Sequence, residues 1–596
     1  MQQNKHIMKL FKNFRMPLYA AAAMILLPLL SVVSCQEESR PGDGQQGLPV
    51  IEGDSFLATI EEGTLSKTAI GESGETSCTM VWSEDDRVSA FMQNTSLSQY
   101  MIDSETAGSS SAEFMRVQDE TSVEGTPLEH NVIWYPYGED VECTAAEAAY
   151  ELSVVLPQEQ DYAENSFGKG AFPMVAVDED RDVSFKNVCG GIKLSLKGTV
   201  KVASIEVAGK GSEPLSGAAT VTAYTDGTGP KVEMASDASS SVVLNCGGVQ
   251  LDQTSVTDFI VTMPPVTFTD GFIVTIIDTD GHKYVLEGEA GSDVSRSSLL
   301  VMPEIDVDDY KTIRILAIGN SFSVDAMEYL YGILWDLGYR KIILGDMYKG
   351  GCSLEEHAGW FAENEGSNYV FYQNTTDEWI RTSGYKPLDA LHYADWDFIT
   401  MQQGSKNTGL VDTFEPYLGN LIAIVTRECP DAKLFWHMTW AYHRESDHAA
   451  FPSYGSDQMT MYNAIVNAVK TKVLAREEFV SVIPNGTAVQ NMRTSFLADN
   501  LTRDGYHLSL REGRFLAALT YAKILTGCDL ADISYTPEQY EYDDLLVAAI
   551  KDAVNKACAA PFEVTMSAYP MADYPGRTPF TNEEFVISDY TAGDWK

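Results

Sequence analysis

The sequence Lys311-Thr-Ile-Arg-Ile-Leu-Ala-Ile-Gly-Asn-Ser-Phe-Ser323 joins a short apolar run to a polar turn. The run from Ile313 to Ile318 is nearly continuous, as is typical of a strand buried on both faces of a parallel sheet. Beyond Gly319-Asn320-Ser321, Ser323 is a suitable N-cap for a helix that ends at Gly338. A serine in such a turn lies at the carboxyl edge of the sheet, where open α/β folds bind ligands. Ser321 is therefore either an ordinary polar turn residue or part of a site.

Apolar runs and amphipathic stretches continue to alternate after this strand. Further strands are predicted at 341–344, 397–401, 434–438 and 479–483, and helices at 324–337, 354–364, 413–428, 457–474 and 510–526. Two of these helices begin with predicted capping boxes, Ser353-x-x-Glu356 and Ser509-x-x-Glu512. Strands that alternate with helices indicate an α/β/α three-layer domain with a five-stranded parallel sheet, which we assign to residues 311–535. Residues 536–596 are predicted to hold one more helix, at 537–559, and a tail.

Residues 54–308 have a different pattern, in which short alternating or β-branched runs are separated by turn residues. This pattern predicts an all-β region of two antiparallel sandwiches, one at 54–182 and the other at 183–308. Three segments resemble fimbrillin-like surface proteins: Phe56-Leu-Ala-Thr-Ile-Glu61, Val81-Trp-Ser-Glu-Asp-Asp-Arg-Val88 and Phe185-Lys-Asn-Val-Cys-Gly-Gly-Ile-Lys-Leu194. The resemblance implies transthyretin-like sandwiches of the kind found in pilus subunits and adhesins, with surface proteins as partners.

Residues 1–34 have the pattern of a signal peptide, with a basic start and an apolar segment at 17–33. The segment ends in Val32-Val33-Ser34-Cys35, which resembles a bacterial lipobox, and Gln36-Glu37-Glu38 resembles the export tag of Bacteroides-type surface lipoproteins. The resemblance implies that Cys35 is lipidated and that residues 35–53 form a tether. It also implies anchoring at the bacterial outer membrane, facing the cell surface. The alternative is an ordinary secretory signal with an incidental cysteine.

Composition excludes several classes of function. A chain of 596 residues is too long for one hydrophobic core. The formal net charge of −45 argues against nucleic acid as a partner, because nucleic acid would be repelled. The nine cysteines form no CxxC pair and no Cys/His cluster, so no structural zinc site is predicted. His437, His443 and His448 fit no metal-ligand spacing, and no metal or other cofactor is predicted.

The loops that follow the predicted strands carry residues suited to acyl transfer. Loops after parallel strands open at one edge of a sheet, so residues far apart in the sequence can meet there. Ser321 would be the nucleophile, and His507 would be the general base that removes its proton. Asp504, three residues before His507, would fix the tautomer of the imidazole ring. Ser323 is an alternative nucleophile, although its predicted N-cap position explains it better.

Three groups are predicted to hold the oxyanion that forms during acyl transfer. They are the backbone N–H groups of Ser321 and Gly351 and the side-chain amide of Gln403. Gly350 is an alternative to Gly351 as the second donor. If the strand order is 2-1-3-4-5, the loops that carry Ser321 and Gln403 face one crevice.

Four blocks within residues 312–530 resemble the SGNH (GDSL-like) hydrolase superfamily, most closely a Bacteroides-type branch of it. The blocks are Gly319-Asn-Ser321-Phe-Ser, Gly350-Gly351-Cys-Ser-Leu, Gln402-Gln403-Gly-Ser and Asp504-Gly-Tyr-His507. The resemblance implies a flavodoxin-like fold and a serine hydrolase of carboxylic esters that needs no cofactor. Two residues depart from the superfamily pattern: Asn320 replaces the usual Asp, and Gln403 stands where most members have Asn.

The resemblance and the predicted location indicate that the substrate is an O-acetyl group, or another small acyl ester, on carbohydrate. Asn320, Trp440 and Tyr442 are candidates for substrate binding, since aromatic rings at the catalytic edge could stack on sugar faces. Two alternatives stay open. One is a non-catalytic surface adhesin or pilus-type assembly protein, and the other is a lipid or thioester hydrolase that uses the same triad.

Overall fold

The computed structural model describes residues 49–61, 80–118, 125–164 and 166–574. The predicted signal peptide, Cys35, most of the predicted tether and the end of the tail lie outside these residues. The chain divides into two compact units between Tyr310 and Lys311. In the described part of the chain, no helix has the length and apolar character needed to cross a membrane.

The described N-terminal unit consists mainly of short strands. They are β1 (Val50–Ile60), β2 (Arg87–Asn94), β3 (Ser98–Ile102), β4 (Ser111–Val117), β5 (Pro127–Tyr135), β6 (Glu142–Ala146), β7 (Ala149–Leu156), β8 (Glu159–Ala163), β9 (Ser166–Phe167), β10 (Met174–Asp178), β11 (Asp182–Asn187), β12 (Gly190–Lys197), β13 (Lys201–Gly209), β14 (Gly217–Tyr224), β15 (Lys231–Met234), β16 (Ser241–Gln250), β17 (Thr257–Met263), β18 (Val266–Phe268), β19 (Phe272–Asp278), β20 (Lys283–Gly288), β21 (Ser292–Val294) and β22 (Leu299–Asp306). Short 3-10 helices occur at Ser104–Thr106 and Val307–Tyr310.

Strands β1 to β5 close into a barrel together with β10 and β11, in the order β1-β11-β10-β5-β2-β3-β4. The ring of Trp82 is buried in this barrel, with its edge against Phe114 at a centroid distance of 4.9 Å and against Phe185 at 5.1 Å. Other sheets have the orders β15-β14-β7-β6 and β17-β12-β22. Within the strands, buried and exposed residues alternate, as in β7, because successive side chains point to opposite faces.

The N-terminal unit differs from two separate sandwiches in two respects. Seven of its strands form a closed barrel, and β14 pairs with β7 although they lie on opposite sides of the predicted division between residues 182 and 183. Alternating patterns reveal which residues form a strand and which face is buried. They contain no information on which distant strand will be the partner, so the sheet connections could not be predicted.

The C-terminal unit alternates strands and helices. Its strands are β23 (Lys311–Gly319), β24 (Lys341–Tyr348), β25 (Val370–Asn374), β26 (Trp379–Ser383), β27 (Phe398–Met401), β28 (Lys433–His437) and β29 (Phe479–Ile483). Its α-helices are α1 (Ser321–Met327), α2 (Leu330–Asp336), α3 (Leu354–Glu363), α4 (Pro387–Leu391), α5 (Tyr417–Glu428), α6 (Gln458–Ala468), α7 (Asn485–Met492), α8 (Glu512–Thr526) and α9 (Asp544–Ala559). A π-helix, Val469–Val473, continues α6, and 3-10 helices lie at Val411–Thr413, Phe451–Tyr454, Leu530–Asp532 and Met571–Asp573.

Five of these strands are parallel and pair in the order β24-β23-β27-β28-β29. The hairpin of β25 and β26 extends the sheet beyond β24 with antiparallel strands. From Ile315 to Gly319, β23 is buried throughout and is flanked by β24 and β27, as is typical of a central strand that is covered on both faces. The carboxyl ends of β23, β24, β27 and β28 therefore point to one edge, from which the loops of the candidate site emerge.

The first residues of the helices were predicted correctly in one case and wrongly in two. The predicted capping box of Ser353 and Glu356 is present at the start of α3. The second predicted box is wrong: α8 begins at Glu512, and the Oγ of Ser509 accepts from the N–H of Gly513 at 2.9 Å instead. The N-cap of α1 is Asn320 rather than Ser323, because the Asn320 side chain accepts a hydrogen bond from the N–H of Phe322.

Candidate active site

Ser321, His507 and Asp504 form a continuous chain of hydrogen bonds. Ser321 is the first residue of α1, directly after β23, and its Oγ donates to Nε2 of His507 at 2.8 Å. Nδ1 of His507 donates to Oδ2 of Asp504 at 2.5 Å. The other carboxylate oxygen of Asp504 accepts from the backbone N–H of His507 at 2.7 Å. The structure therefore brings together the three residues that the sequence predicts to act as a triad.

The negative charge of Asp504 determines which ring nitrogen of His507 carries the proton. Burial alone would raise the pKa of Asp504, but the hydrogen bond from His507 and the nearby positive charges lower it below its usual value. An ionised carboxylate accepts a hydrogen bond and so keeps the proton of the neutral ring on Nδ1. Nε2 is then free to accept the proton of Ser321, which is the geometry that a general base requires.

A buried carboxylate, Asp325, ties the two parts of the triad together. It lies on α1, one turn after Ser321, and is fully buried. It accepts from Nη1 of Arg503 at 3.0 Å, from Nε of Arg514 at 2.9 Å and from the N–H of Leu508 at 2.9 Å. Burial opposes ionisation, but the two arginines outweigh it and lower the pKa of Asp325. Because Arg503 precedes Asp504 and Leu508 follows His507, Asp325 holds both ends of the loop.

Sequence reasoning did not identify Asp325. The available signal was an acidic residue within the buried segment Phe322–Met327, because a buried charge requires a partner. The sequence does not show that the partners are arginines from 178 and 189 positions away.

A second buried chain of hydrogen bonds supports the turn that carries Ser321. The Oδ1 of Asn320 accepts from the N–H of Phe322 and, at 2.8 Å, from Nε2 of Gln402. The Oε1 of Gln402 lies 2.8 Å from Nδ1 of His437, and Nε2 of His437 lies 3.0 Å from Nδ2 of Asn485. We call this set, Asn320, Gln402, His437 and Asn485, the turn-support network.

The backbone N–H of Phe322 determines which atom donates and which accepts in each hydrogen bond of the turn-support network. The N–H of Phe322 can only donate, so the Asn320 atom that faces it is oxygen, and Gln402 must present its NH₂ group to that oxygen. The remaining oxygen of Gln402 requires a donor, so His437 carries its proton on Nδ1 and accepts from Asn485 through Nε2. Burial lowers the pKa of His437 to about 3, so the ring is neutral.

The predicted oxyanion site is present in part. Ser321 is the first helical residue, so its N–H has no carbonyl partner within α1. The turn with Gly350 and Gly351 adjoins it, because the N–H of Lys349 donates to the O of Gly319 and Nδ2 of Asn320 donates to the O of Cys352. Gly351 has a φ of +64° and an exposed backbone, which suits a residue without a side chain.

Gln403 does not present its amide to this space. Its Nε2 donates to the O and the Oγ1 of Thr413, and its Oε1 accepts from the N–H groups of Leu354 and Gly404. The side chain is 1% exposed. The prediction of Gln403 as an oxyanion donor therefore requires correction, because its amide holds three loops together and has no free N–H.

The three predicted substrate-binding side chains are also engaged inside the fold. Trp440 is 0% exposed, stacks on Phe322 at a centroid distance of 4.2 Å and donates from its indole N–H to the O of Tyr506. Tyr442 is 0% exposed and donates to the Oγ of Ser405 at 3.0 Å. Asn320 caps α1. A buried ring cannot stack on a sugar, so the prediction that these side chains bind substrate requires correction.

The three histidines near the site have hydrogen-bond partners within the protein. His437 belongs to the turn-support network, and the Nδ1 atoms of His443 and His448 accept from the backbone N–H groups of Glu445 and Ala450. Among the described residues, one group of possible metal ligands lies elsewhere, at Asp278, Asp280 and His282 in the N-terminal unit. There Asp278 already accepts from the ring of His282, the hydroxyl of Tyr284 and nearby backbone N–H groups.

The fold and this site define the C-terminal unit as an α/β protein with a Ser-His-Asp arrangement at the carboxyl edge of its sheet. Residues 314–555 match the family described as a domain of unknown function, DUF4886. The crystal structure of a DUF4886 family protein from Bacteroides uniformis ATCC 8492 is 37% identical, with a TM-score of 0.41. The match covers 43% of this chain and 98% of that chain. The chain therefore belongs to the DUF4886 family through this region.

Two further solved structures are more distant. A candidate cell adhesion protein from Bacteroides ovatus ATCC 8483 is 12% identical over 43% of this chain and 93% of that chain, with a TM-score of 0.27. A variant of an acetyl-xylooligosaccharide esterase from Geobacillus Stearmophilus is 13% identical over 36% of this chain and 94% of that chain, with a TM-score of 0.24. No curated protein matches the chain. At these values, the distant similarities do not identify a function.

Proposed function

We propose that the C-terminal unit is a serine hydrolase of carboxylic esters, and that it removes O-acetyl or other small acyl groups from carbohydrate. The observation that carries this proposal is the hydrogen-bonded chain from Ser321 Oγ through His507 to Asp504, at 2.8 and 2.5 Å. The carbohydrate substrate rests on the resemblance to SGNH hydrolases and on the predicted surface location. Anchoring through a lipid on Cys35 is part of the same proposal.

The reaction has two steps. Ser321 Oγ attacks the acyl carbonyl carbon while His507 Nε2 takes the hydroxyl proton, and the oxyanion is held by the N–H groups of Ser321 and the Gly350-Gly351 turn. The bond between the acyl carbon and the sugar oxygen then breaks, and His507 donates its proton to that oxygen, so that the sugar leaves as an alcohol. Water then attacks the acyl-serine with His507 as the base again, and the carboxylic acid leaves.

The test uses p-nitrophenyl esters of increasing chain length with purified wild type, Ser321→Ala and Ser323→Ala. We expect hydrolysis of the acetyl ester to disappear in S321A and to persist in S323A, because the Oγ of Ser323 donates to the O of Asn320 rather than to His507. Loss of activity in S323A alone would make Ser323 the nucleophile. Preference for long chains would indicate a lipid or thioester hydrolase, and absence of turnover by wild type would indicate a non-catalytic adhesin.

A further inference from the structure

Two lysines lie on the loops that adjoin the Ser321 turn. Lys349 follows β24, and its backbone N–H donates to the O of Gly319, two residues before Ser321, at 3.3 Å. Lys406 lies in the loop after β27. The loop after β27 packs closely against the loop after β24: a Cβ on Gly404 would lie 2.7 Å from the O of Cys352. Lys349 therefore precedes the Gly350-Gly351 turn on one loop, and Lys406 lies on the loop that contacts it.

Both ammonium groups are available for a ligand. Lys406 is exposed and Lys349 is partly exposed. Neither side chain has an ion-pair or hydrogen-bond partner in direct contact within the described ranges, although the positive charge of Lys406 helps to lower the pKa of the nearby Glu356. The acids at the start of α3 are already engaged: Glu356 accepts from the N–H and Oγ of Ser353, and Glu355 accepts from the hydroxyl of Tyr417.

The charge of these lysines contrasts with that of the chain as a whole. The protein has 86 acidic and 41 basic residues, so its general field repels anions. A neutral ester would need no cation beside the site. An anionic substrate would need a local positive charge, both to approach the site and to be held there by charge-assisted hydrogen bonds.

We propose that the substrate is an acylated sugar that carries a carboxylate, and that Lys349 and Lys406 bind this carboxylate. The inference rests on the proposed esterase activity and names the chemical class of its substrate. The lysines would act on binding and on the approach of the substrate. The acyl group would still react at Ser321, and the proton would still move through His507.

The test compares two substrates that differ in one group, a mono-O-acetylated methyl glucuronide and the matching mono-O-acetylated methyl glucoside. Acetate release is measured for wild type, for the double variant Lys349→Gln/Lys406→Gln and for Lys433→Gln. Lys433 is a matched control, because it is exposed and lies at the amino end of β28, on the opposite edge of the sheet. Thermal unfolding of each variant verifies that it is folded.

We expect wild type to prefer the acidic sugar, and the double variant to lose about tenfold in kcat/KM for it while the neutral sugar and K433Q are unchanged. Added salt should reduce the preference of wild type in the same direction. An equal loss for both sugars would mean that the lysines stabilise the oxyanion, and it would overturn the proposal. Turnover of p-nitrophenyl acetate through Ser321 without preference between the sugars overturns this inference alone. Absence of Ser321-dependent turnover of any ester overturns the esterase proposal as well.

Discussion

The Oγ of Ser321 lies 2.8 Å from Nε2 of His507, although 186 positions separate the two residues in the chain. The parallel sheet explains the contact, because β23 delivers Ser321 to the edge from which the other loops of the site emerge. Asp325 then reinforces it, since this one carboxylate binds residues on both sides of the His507 loop. The buried charge of Asp325 therefore helps to hold His507 beside Ser321.

Asp504→Asn should lower kcat by roughly 10³-fold or more while the protein stays folded. The amide can no longer hold His507 in the tautomer that leaves Nε2 free for Ser321. Steady-state kinetics on p-nitrophenyl acetate measures the effect, with the exposed Asp447→Asn as control. A kcat of the D504N variant within about tenfold of wild type would show that Asp504 has no such role.

Gln402→Met should lower both stability and kcat. The substitution removes two buried hydrogen bonds. It leaves the Nδ1 of His437 without a partner, which costs about 1–3 kcal/mol, while the Oδ1 of Asn320 keeps only the N–H of Phe322. Urea unfolding and kcat with saturating ester provide the two measurements. Gln373→Met, at a half-buried position of β25, is the control. Unchanged kcat in a destabilised Q402M protein would mean that the turn-support network serves stability alone.

Asp325→Asn should destabilise the protein by about 3–5 kcal/mol, because Arg503 and Arg514 would lose their shared buried counter-charge. Asp389→Asn, at an exposed position of α4, should change the free energy of unfolding by less than about 0.5 kcal/mol. Chemical denaturation near neutral pH compares the two. A near-neutral effect of D325N would contradict the anchoring role of Asp325.

Glu512→Gln should make the protein more stable at alkaline pH. Burial raises the pKa of Glu512 to about 7, from 4.5 in the unfolded chain. The folded state therefore binds the proton more tightly, and this stabilisation, complete below pH 4.5, is lost as the pH rises to about 7. At higher pH the variant should exceed wild type by roughly 3 kcal/mol, while at pH values below the unfolded pKa the two should be similar. Equal pH profiles of unfolding would contradict the prediction.

Several features of the C-terminal unit could be predicted from local patterns. The apolar run at Ile313–Ile318 indicated β23, and the polar turn after it placed Ser321 at the sheet edge, where the structure has it. The Asp504-Gly-Tyr-His507 spacing indicated that the two side chains would be in contact, because residues three positions apart in a turn can hydrogen bond to each other. In such cases, neighbours in the sequence determine the contact.

Other features depend on contacts that no local pattern records. Trp440 and Gln403 have side chains suited to substrate contact, but the structure turns both inward, where Phe322 and Thr413 bind them. The pairing of β7 with β14 is of the same kind. Residue type alone therefore could not separate groups that face a substrate from groups that hold the loops in place.

Labelling with diisopropyl fluorophosphate, followed by peptide mass mapping, tests the central claim most directly. The reagent forms a stable phosphoryl adduct with an activated serine, and in the proposed mechanism the hydrogen bond from Ser321 to His507 supplies that activation. We predict one adduct on the peptide that contains Ser321, located at that residue by fragmentation, lost in S321A and strongly reduced in His507→Ala. An unlabelled Ser321 in folded wild type, or equal labelling in the His507 variant, would contradict a catalytic serine at this position.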